Sequence, residues 1–432
     1  MGTALRTDHY ELTMLQASLA NGTAHRPSVF EVFARRLSGG RRYGVVAGTG
    51  RLLDALADFR FTDEDLAFLR ETEVVDEPTL AWLADYRFSG DIWDYPEGEV
   101  YFPGSPVLIV EGSFAECVIL ETLVLSVLNH DAAVATAASR MVTAAGDRPC
   151  IEMGSRRAHE HSAVAAARAA WIAGFTATSN LEAGRAFGIP TVGTAAHSFT
   201  LLHDSEREAF AAQVAALGTA TTLLVDTYDI AQGVATGIEV AGPRLGGVRL
   251  DSGDLGQVAA QVREQLDDLG ATDTRITVTS DLDEYAIASL AAAPVDAYGV
   301  GTSVVTGSGV PTSGFVYKLV ARSGGPGDDA FVSVAKKSKD KASVGGRKYA
   351  LRRIGARGTA EAEVIGVGQP AANDGNDRDL LVPLVQAGER VDVSDLSEAR
   401  ARLQSSLEEL PISALRLSKG DPALPTLHEE EA

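Results

Sequence analysis

Cysteine is nearly missing from this chain. Cys117 and Cys150 are its only two among 432 residues, too few for a disulfide framework or a cysteine-rich zinc site. A reducing cytoplasm is the compartment that fits. Excess positive charge is also missing. The net charge of −21 argues against non-specific nucleic-acid binding and against attachment to an anionic membrane. An anionic substrate would need a local basic patch. Long apolar runs are lacking as well: the weakly polar stretch from about Ala211 to Val225 is broken by Gln213 and Gly218. The opening MGTALRTDHYELTM has no signal-peptide core, and Arg6 stands where a myristoylation motif needs Ser or Thr. No G-x-G-x-x-G follows a first strand, so an open doubly wound sheet is only the second choice of fold. No solenoid repeat is visible.

What is present is a change of texture. The length suffices for two or three domains, and 45% hydrophobic with 22% charged residues is ordinary for a globular protein. Residues 1–115 combine a helical stretch, Asp8 to Leu19, with the strand-like runs FEVFARR, YGVVAG and SGDIWDYPEGEVYFPGSPVLIVEGSF. From 116 to 324, Ala- and Leu-rich helices alternate with short strands ending near Met153, Thr176, Thr194, Val225, Leu250, Thr279 and Val300. Seven βα-like units predict an irregular parallel α/β barrel. Beyond about 325, short strands and turns return, completing a smaller, mostly antiparallel sheet domain with the N-terminal segment. A helix from about Ser394 and a disordered acidic tail, ending HEEEA, are expected to close the chain.

The polar bursts at the ends of the strands carry the candidate chemistry. In GTAAHSF, His197 follows the run IPTVGT, and a histidine can act as a nucleophile towards phosphorus when a partner fixes its tautomer. Asp226 and Asp229, after TTLLV, are the carboxylates on the next loop. In VRLDSGD, Arg249 and Asp251 flank one strand-end residue and can point into one cleft. The arginine suits carboxylate or phosphate, the aspartate ribose hydroxyls or magnesium. Gly299, Gly301 and Thr302 form a glycine-containing loop suited to phosphate. Ser280 and Asp281 end another strand. The basic run from Lys336 to Arg353, with Lys337, Lys339, Lys341, Arg347, Lys348 and Arg352, is a solvated hairpin or a place to hold polyphosphate. His159 and His161 open a helix two residues apart, so joint metal ligation is not expected. No residue is assigned to a metal.

In order along the chain, TDHYELTM, EMGSRRAHE, GFTATSN, GTAAHSF, VDTYD, RLDSGD, TSDLDE, YGVGTSVVT and VYKLV resemble the motif series of the nicotinate phosphoribosyltransferase family, from Thr7 to about Arg353. The resemblance implies a type II phosphoribosyltransferase fold and a homodimer with shared active sites. It implies that nicotinate and 5-phosphoribosyl 1-diphosphate give nicotinate mononucleotide and diphosphate in NAD salvage. ATP, with Mg2+, is the implied co-substrate. By the same resemblance, ATP phosphorylates His197 and Asp226 orients it. Tyr10 of the neighbouring subunit stacks on the pyridine. Arg156, Thr194 and Arg249 contact substrate, Asp251 contacts ribose, and Gly301 with Thr302 grips the 5′-phosphate. Met153 departs from the aromatic residue common in relatives, which loosens the expected ring sandwich. No structural zinc is implied, since the cysteine-rich knuckle of some relatives is missing.

Two neighbouring activities compete. A nicotinamide-using relative would place a carboxylate beside the ring substituent. Here Thr178, Ser179 and Asn180 are neutral, which favours an acid substrate. A quinolinate-using enzyme needs a denser basic pocket and no phosphorylatable histidine. A catalytically inactive, metabolite-binding relative is the alternative of another class, and the presence of His197, Arg249 and Asp251 argues against it.

Overall fold

A computed structural model describes residues 3–325, 330–336, 343–391 and 395–429. The chain divides into two compact units, Met1–Ala133 with Thr312–Ala432, and Val134–Pro311. The texture of the sequence put the boundaries near 115 and 325. The first actual division falls inside one continuous helix, Glu121–Ala145, which no change of composition marks. Contrary to the expectation that long apolar runs are lacking, the segment Phe114–Ala145 is long and apolar enough to cross a membrane: its most apolar window has a mean hydropathy of 1.5, but 67% of that window is buried inside the protein. It reads as a core helix.

The first unit is built from both chain ends. Strand Pro27–Ala34 pairs antiparallel with Leu108–Ser113 on one side and with Phe315–Ser323, from the C-terminal part, on the other. Its β-branched and aromatic residues alternate between faces, as the period of a strand requires. Phe30 and Val32 enter the main core, whereas Val29 joins Ile109 and Val320 on the opposite face. Phe30 stacks on Tyr317 with ring centroids 4.9 Å apart. A four-stranded sheet, in the order Arg378–Asp379, Lys348–Ile354, Ala360–Val367 and Thr426–Glu429, completes the unit. The tail expected to be disordered thus supplies an edge strand, paired parallel with Ala360–Val367. Its last residues, 430–432, lie outside the described residues.

The second unit holds a six-stranded sheet, all parallel, in the order Ala177–Thr178, Cys150–Glu152, Ala297–Val300, Arg275–Val278, Gly247–Leu250 and Thr222–Leu224. Six of the seven expected strands are present. The seventh, IPTVGT, is reduced to a single parallel bridge between Thr191 and Thr178. The sheet curls into an irregular half-barrel. Ile151, Arg249 and Thr277 line an interior cavity of about 1120 Å³ together with Ala177 and Thr222 from the two edge strands. Intervening residues such as Val248, Leu250, Ile276 and Val278 are buried. Helices Glu160–Ile172, Glu206–Leu217, Ile230–Ala241 and Leu255–Asp268 follow their strands as the βα pattern demands.

Candidate active site

The carboxyl ends of the parallel strands bring the polar bursts together. His197 opens the short helix His197–Leu202 and keeps 41% of its side chain exposed. Its Nδ1 lies 3.2 Å from the Thr227 hydroxyl. Its Nε2 faces two carboxylates, Asp226 Oδ1 at 4.0 Å and Asp251 Oδ2 at 3.9 Å. At these separations the carboxylates lie beyond hydrogen-bond reach of the ring. The Asp226 side chain is almost fully buried, and its Oδ2 accepts the Asp251 amide and the Ser252 hydroxyl, both at 2.8 Å. The next strand-end loop therefore aims Asp226 at the histidine. Asp229, the other carboxylate of VDTYD, caps helix Ile230–Ala241 by accepting the Gln232 amide at 2.8 Å and serves the fold.

Arg249 and Asp251 do point into one cleft. Arg249 Nη1 donates to the Thr194 hydroxyl at 2.7 Å, and Nη2 lies 3.9 Å from Asp251 Oδ1. Asp251 in turn accepts the Thr279 hydroxyl. Two buried polar atoms here have no hydrogen-bond partner among the described residues: Asp226 Oδ1 and Arg249 Nε. Buried polar atoms are nearly always satisfied, so an unpaired acceptor and an unpaired donor in one cleft suit a ligand carrying both charges.

A second cavity, about 250 Å³, sits at the strand ends and is lined by Arg156, Arg249, Asp251, Ser280, Gly301 and Thr302, among others. Met153 and Arg249 line both this cavity and the barrel interior. Ser280 takes a φ of 108°, an uncommon backbone conformation for a residue with a side chain. Gly299 leaves space for Met153: a Cβ there would lie 2.8 Å from its Sδ. Gly301 precedes the turn Thr302–Val305. Arg156 and Ser179 are exposed. Thr178, expected to touch substrate, is instead buried, and its hydroxyl donates to Glu152.

Of the basic run, Arg347, Lys348 and Arg352 are each committed to acidic partners within the protein. Arg347 pairs with Glu111 at 2.8 Å and is stacked on Tyr349 and Trp93, its guanidinium carbon 4.3 and 5.3 Å from the ring centroids. Lys348 is buried against Glu31 at 2.5 Å, and burial pushes the Glu31 carboxyl up to about 7 despite that partner. Arg352 is fully buried between Glu99 and Glu363. Apart from Glu363, 11 residues from Arg352, the acidic partners that neutralise these cations are far away in sequence. Lys337, Lys339 and Lys341 lie outside the described residues. Tyr10 stands on helix His9–Ala20 of the first unit, 44% exposed, its hydroxyl pushed up to about 12 by burial and by Glu121, Glu11 and Asp8.

Sequence reading missed Thr227, Ser252, Thr279 and Glu152. All four sit inside the quoted motifs, the first three in VDTYD, RLDSGD and TSDLDE, where hydroxyl residues beside a functional carboxylate were the available signal, and Glu152 at the head of EMGSRRAHE.

Fold and site together define an α/β enzyme that gathers a histidine, two carboxylates and an arginine at the carboxyl ends of a curled parallel sheet. Residues 5–129 match the nicotinate phosphoribosyltransferase (NAPRTase) N-terminal domain. The nicotinate phosphoribosyltransferase pncB1 of Mycobacterium tuberculosis is 58% identical over 98% of this chain and 94% of its own length. The nicotinate phosphoribosyltransferase of Bacillus subtilis is 37% identical over 81% of this chain and 73% of its own. The crystal structure of human nicotinic acid phosphoribosyltransferase superposes with a TM-score of 0.84 at 27% identity, covering 98% of this chain and 97% of that one. The chain belongs to the nicotinate phosphoribosyltransferase family.

Proposed function

We propose that the strand-end cleft joins nicotinate to 5-phosphoribosyl 1-diphosphate, the entry step of NAD salvage, and that ATP phosphorylates His197 in support of that reaction. The observation that carries the reading is the placement of His197 beside Asp226, Asp251 and Arg249 at the strand ends. In the displacement, the pyridine nitrogen forms a bond to the anomeric carbon while the carbon–oxygen bond to diphosphate breaks, its electron pair leaving with diphosphate. The protein's part is to orient the two substrates and to offset the charge on the leaving group. Arg249, with its unpaired Nε, suits the nicotinate carboxylate or the diphosphate. Asp251 suits the ribose hydroxyls, Arg156 and the Gly301–Thr302 loop the 5′-phosphate.

In the coupled step, an imidazole nitrogen of His197 attacks the γ-phosphorus of ATP and ADP leaves. A tautomer in which Nδ1–H donates to the Thr227 hydroxyl would leave Nε2 as the nucleophile. Asp226 then acts on the ring by charge, since it stands too far for a hydrogen bond. Among the described residues no cluster of three or more His, Cys, Asp or Glu could hold a metal. Magnesium that arrives with a polyphosphate needs only one or two carboxylates, and the unpaired Asp226 Oδ1 fits that demand with Asp251. Bound there, magnesium would neutralise phosphate charge. We further read the enzyme as a cytoplasmic homodimer in which Tyr10 of one subunit stacks on the pyridine bound by the other. Cys117 and Cys150 are both buried as free thiols, consistent with that compartment.

The test compares nicotinate with nicotinamide, each with and without ATP, by nucleotide product. A charge-assisted contact to Arg249 is worth about 1.5–3 kcal/mol, so nicotinate should be preferred by about tenfold to a hundredfold. Equal kcat/KM for the acid and the amide would overturn the assignment of substrate.

A further inference from the structure

Glu152 ends the strand Cys150–Glu152, is fully buried, and has no cationic partner among the described residues. A buried carboxylate without a counter-charge costs stability, and burial pushes this one above the usual carboxylate range. Its two oxygens are both committed. One accepts the Gly154 amide, the other the Thr178 hydroxyl. Thr178 Oγ1 also accepts the Asn180 amide at 3.0 Å, and Asn180 Nδ2 donates to Ser155 Oγ at 2.9 Å. A ring of hydrogen bonds, closed through the backbone from Gly154 to Ser155, thus joins the loop after Cys150–Glu152 to the loop after Ala177–Thr178. A third loop is pressed against the ring: a Cβ on Gly154 would lie 2.2 Å from Val305 Cγ1 and 2.8 Å from the Gly301 carbonyl. The three loops carry Arg156, Ser179 and Gly301–Thr302.

We propose that Glu152 is a positioning residue, which through Thr178 and Gly154 sets the spacing of the loops that hold Arg156, Ser179 and Gly301 in the cleft. It touches no reacting atom. Thr178 is then a strut whose donor and acceptor roles are both used within the protein, and the direct contact falls to its exposed neighbour Ser179. This rests on the proposed location of the reaction at the strand ends.

The experiment measures kcat/KM for nicotinate, together with the melting temperature, across five variants. Thr178→Val and Glu152→Ala should each lose about tenfold to a hundredfold in kcat/KM, the scale of a site misplaced by about an ångström. Thr178→Ser, which keeps the hydroxyl, should stay within about threefold of the wild type, and Glu152→Gln, whose amide oxygen still accepts the Gly154 amide but whose NH2 cannot accept the Thr178 hydroxyl, should fall between Thr178→Ser and Glu152→Ala. The double variant Glu152→Ala with Thr178→Val should be no worse than the worse single one, because both remove one interaction. A lower melting temperature with unchanged kcat/KM in Thr178→Val, or additive losses in the double variant, would overturn the proposal. Should Glu152→Ala fail to fold, the Val and Ser variants at 178 still decide it. Wild-type enzyme that made no nicotinate mononucleotide would instead sink the functional reading itself.

Discussion

His197 presents its two ring nitrogens to different surroundings, a neutral hydroxyl on one side and two carboxylates on the other. That asymmetry makes the phosphorylation step testable residue by residue. Incubation with γ-labelled ATP and magnesium should give an acid-labile, base-stable phosphoenzyme. His197→Asn should abolish the label and ATP hydrolysis while leaving a slow, ATP-independent transfer at high substrate. Thr227→Val and Asp226→Asn should each lower labelling, the first by freeing the tautomer and the second by removing a buried charge beside Nε2. Full ATP-stimulated turnover in the His197 variant, or label on another residue, would refute the mechanism. His197, Arg249 and Asp251 were legible in the sequence because each directly follows or ends an apolar run, and strand ends of parallel sheets are where ligands meet side chains. Thr227 and Ser252 were not, since their roles depend on hydrogen bonds between loops about thirty residues apart. Arg347 and Lys348 misled for the same reason: Glu111 and Glu31, which neutralise them, are 236 and 317 positions away.

Among the elements, the β-structure that ties the two chain ends together carries the most concentrated electrostatics. Arg352, on strand Lys348–Ile354, donates to Glu363 at 2.6 Å and to the Val100 carbonyl at 2.8 Å, and reaches Glu99 at 3.3 Å. Glu99 also accepts from Arg378 at 2.6 Å and from Ser406 at 2.7 Å. The fully buried cation thus bridges N-terminal and C-terminal segments. Arg352→Met should cost about 3–5 kcal/mol, the usual penalty for stranding buried carboxylates. Denaturant unfolding followed by circular dichroism would measure it. Arg378→Met, at a side chain 37% exposed, should cost clearly less. Equal costs would mean that burial is not what makes the network matter. Alternating patterns and turn residues made these strands legible, and the helix–strand alternation revealed the curled sheet. The strand IPTVGT was overread because a β-branched run satisfies the pattern without requiring a partner, and only Thr191 bridges. The edge strand Thr426–Glu429 was hidden by its acidic, proline-containing flanks, though pairing with Ala360–Val367 is a tertiary matter that composition does not encode.

For the molecule as a whole, the assignment of Tyr10 is the strongest commitment, because it requires a second copy of the chain. Tyr10 is a large aromatic residue left 44% exposed on the first unit, whereas His197 belongs to the second. A ring that stacks on the pyridine from the neighbouring subunit would make every site a joint product of two chains. Such a site has a distinctive genetic behaviour. On the proposed shared-site homodimer, the Tyr10→Ala and His197→Ala enzymes should each be nearly inactive, one lacking the proposed stacking ring and the other the proposed phosphate acceptor. Mixed and allowed to exchange subunits, they form heterodimers in which one of the two sites combines an intact Tyr10 with an intact His197. With random exchange half of the dimers are mixed, and each mixed dimer has one good site of two. Recovered activity should therefore approach about a quarter of the wild type, a ceiling fixed by counting and independent of the rate constants. Native mass spectrometry would establish the fraction exchanged, and activity should rise in step with it. If heterodimers accumulate without any gain in turnover, each site is built within one chain, and Tyr10 serves its own subunit or the surface of the fold.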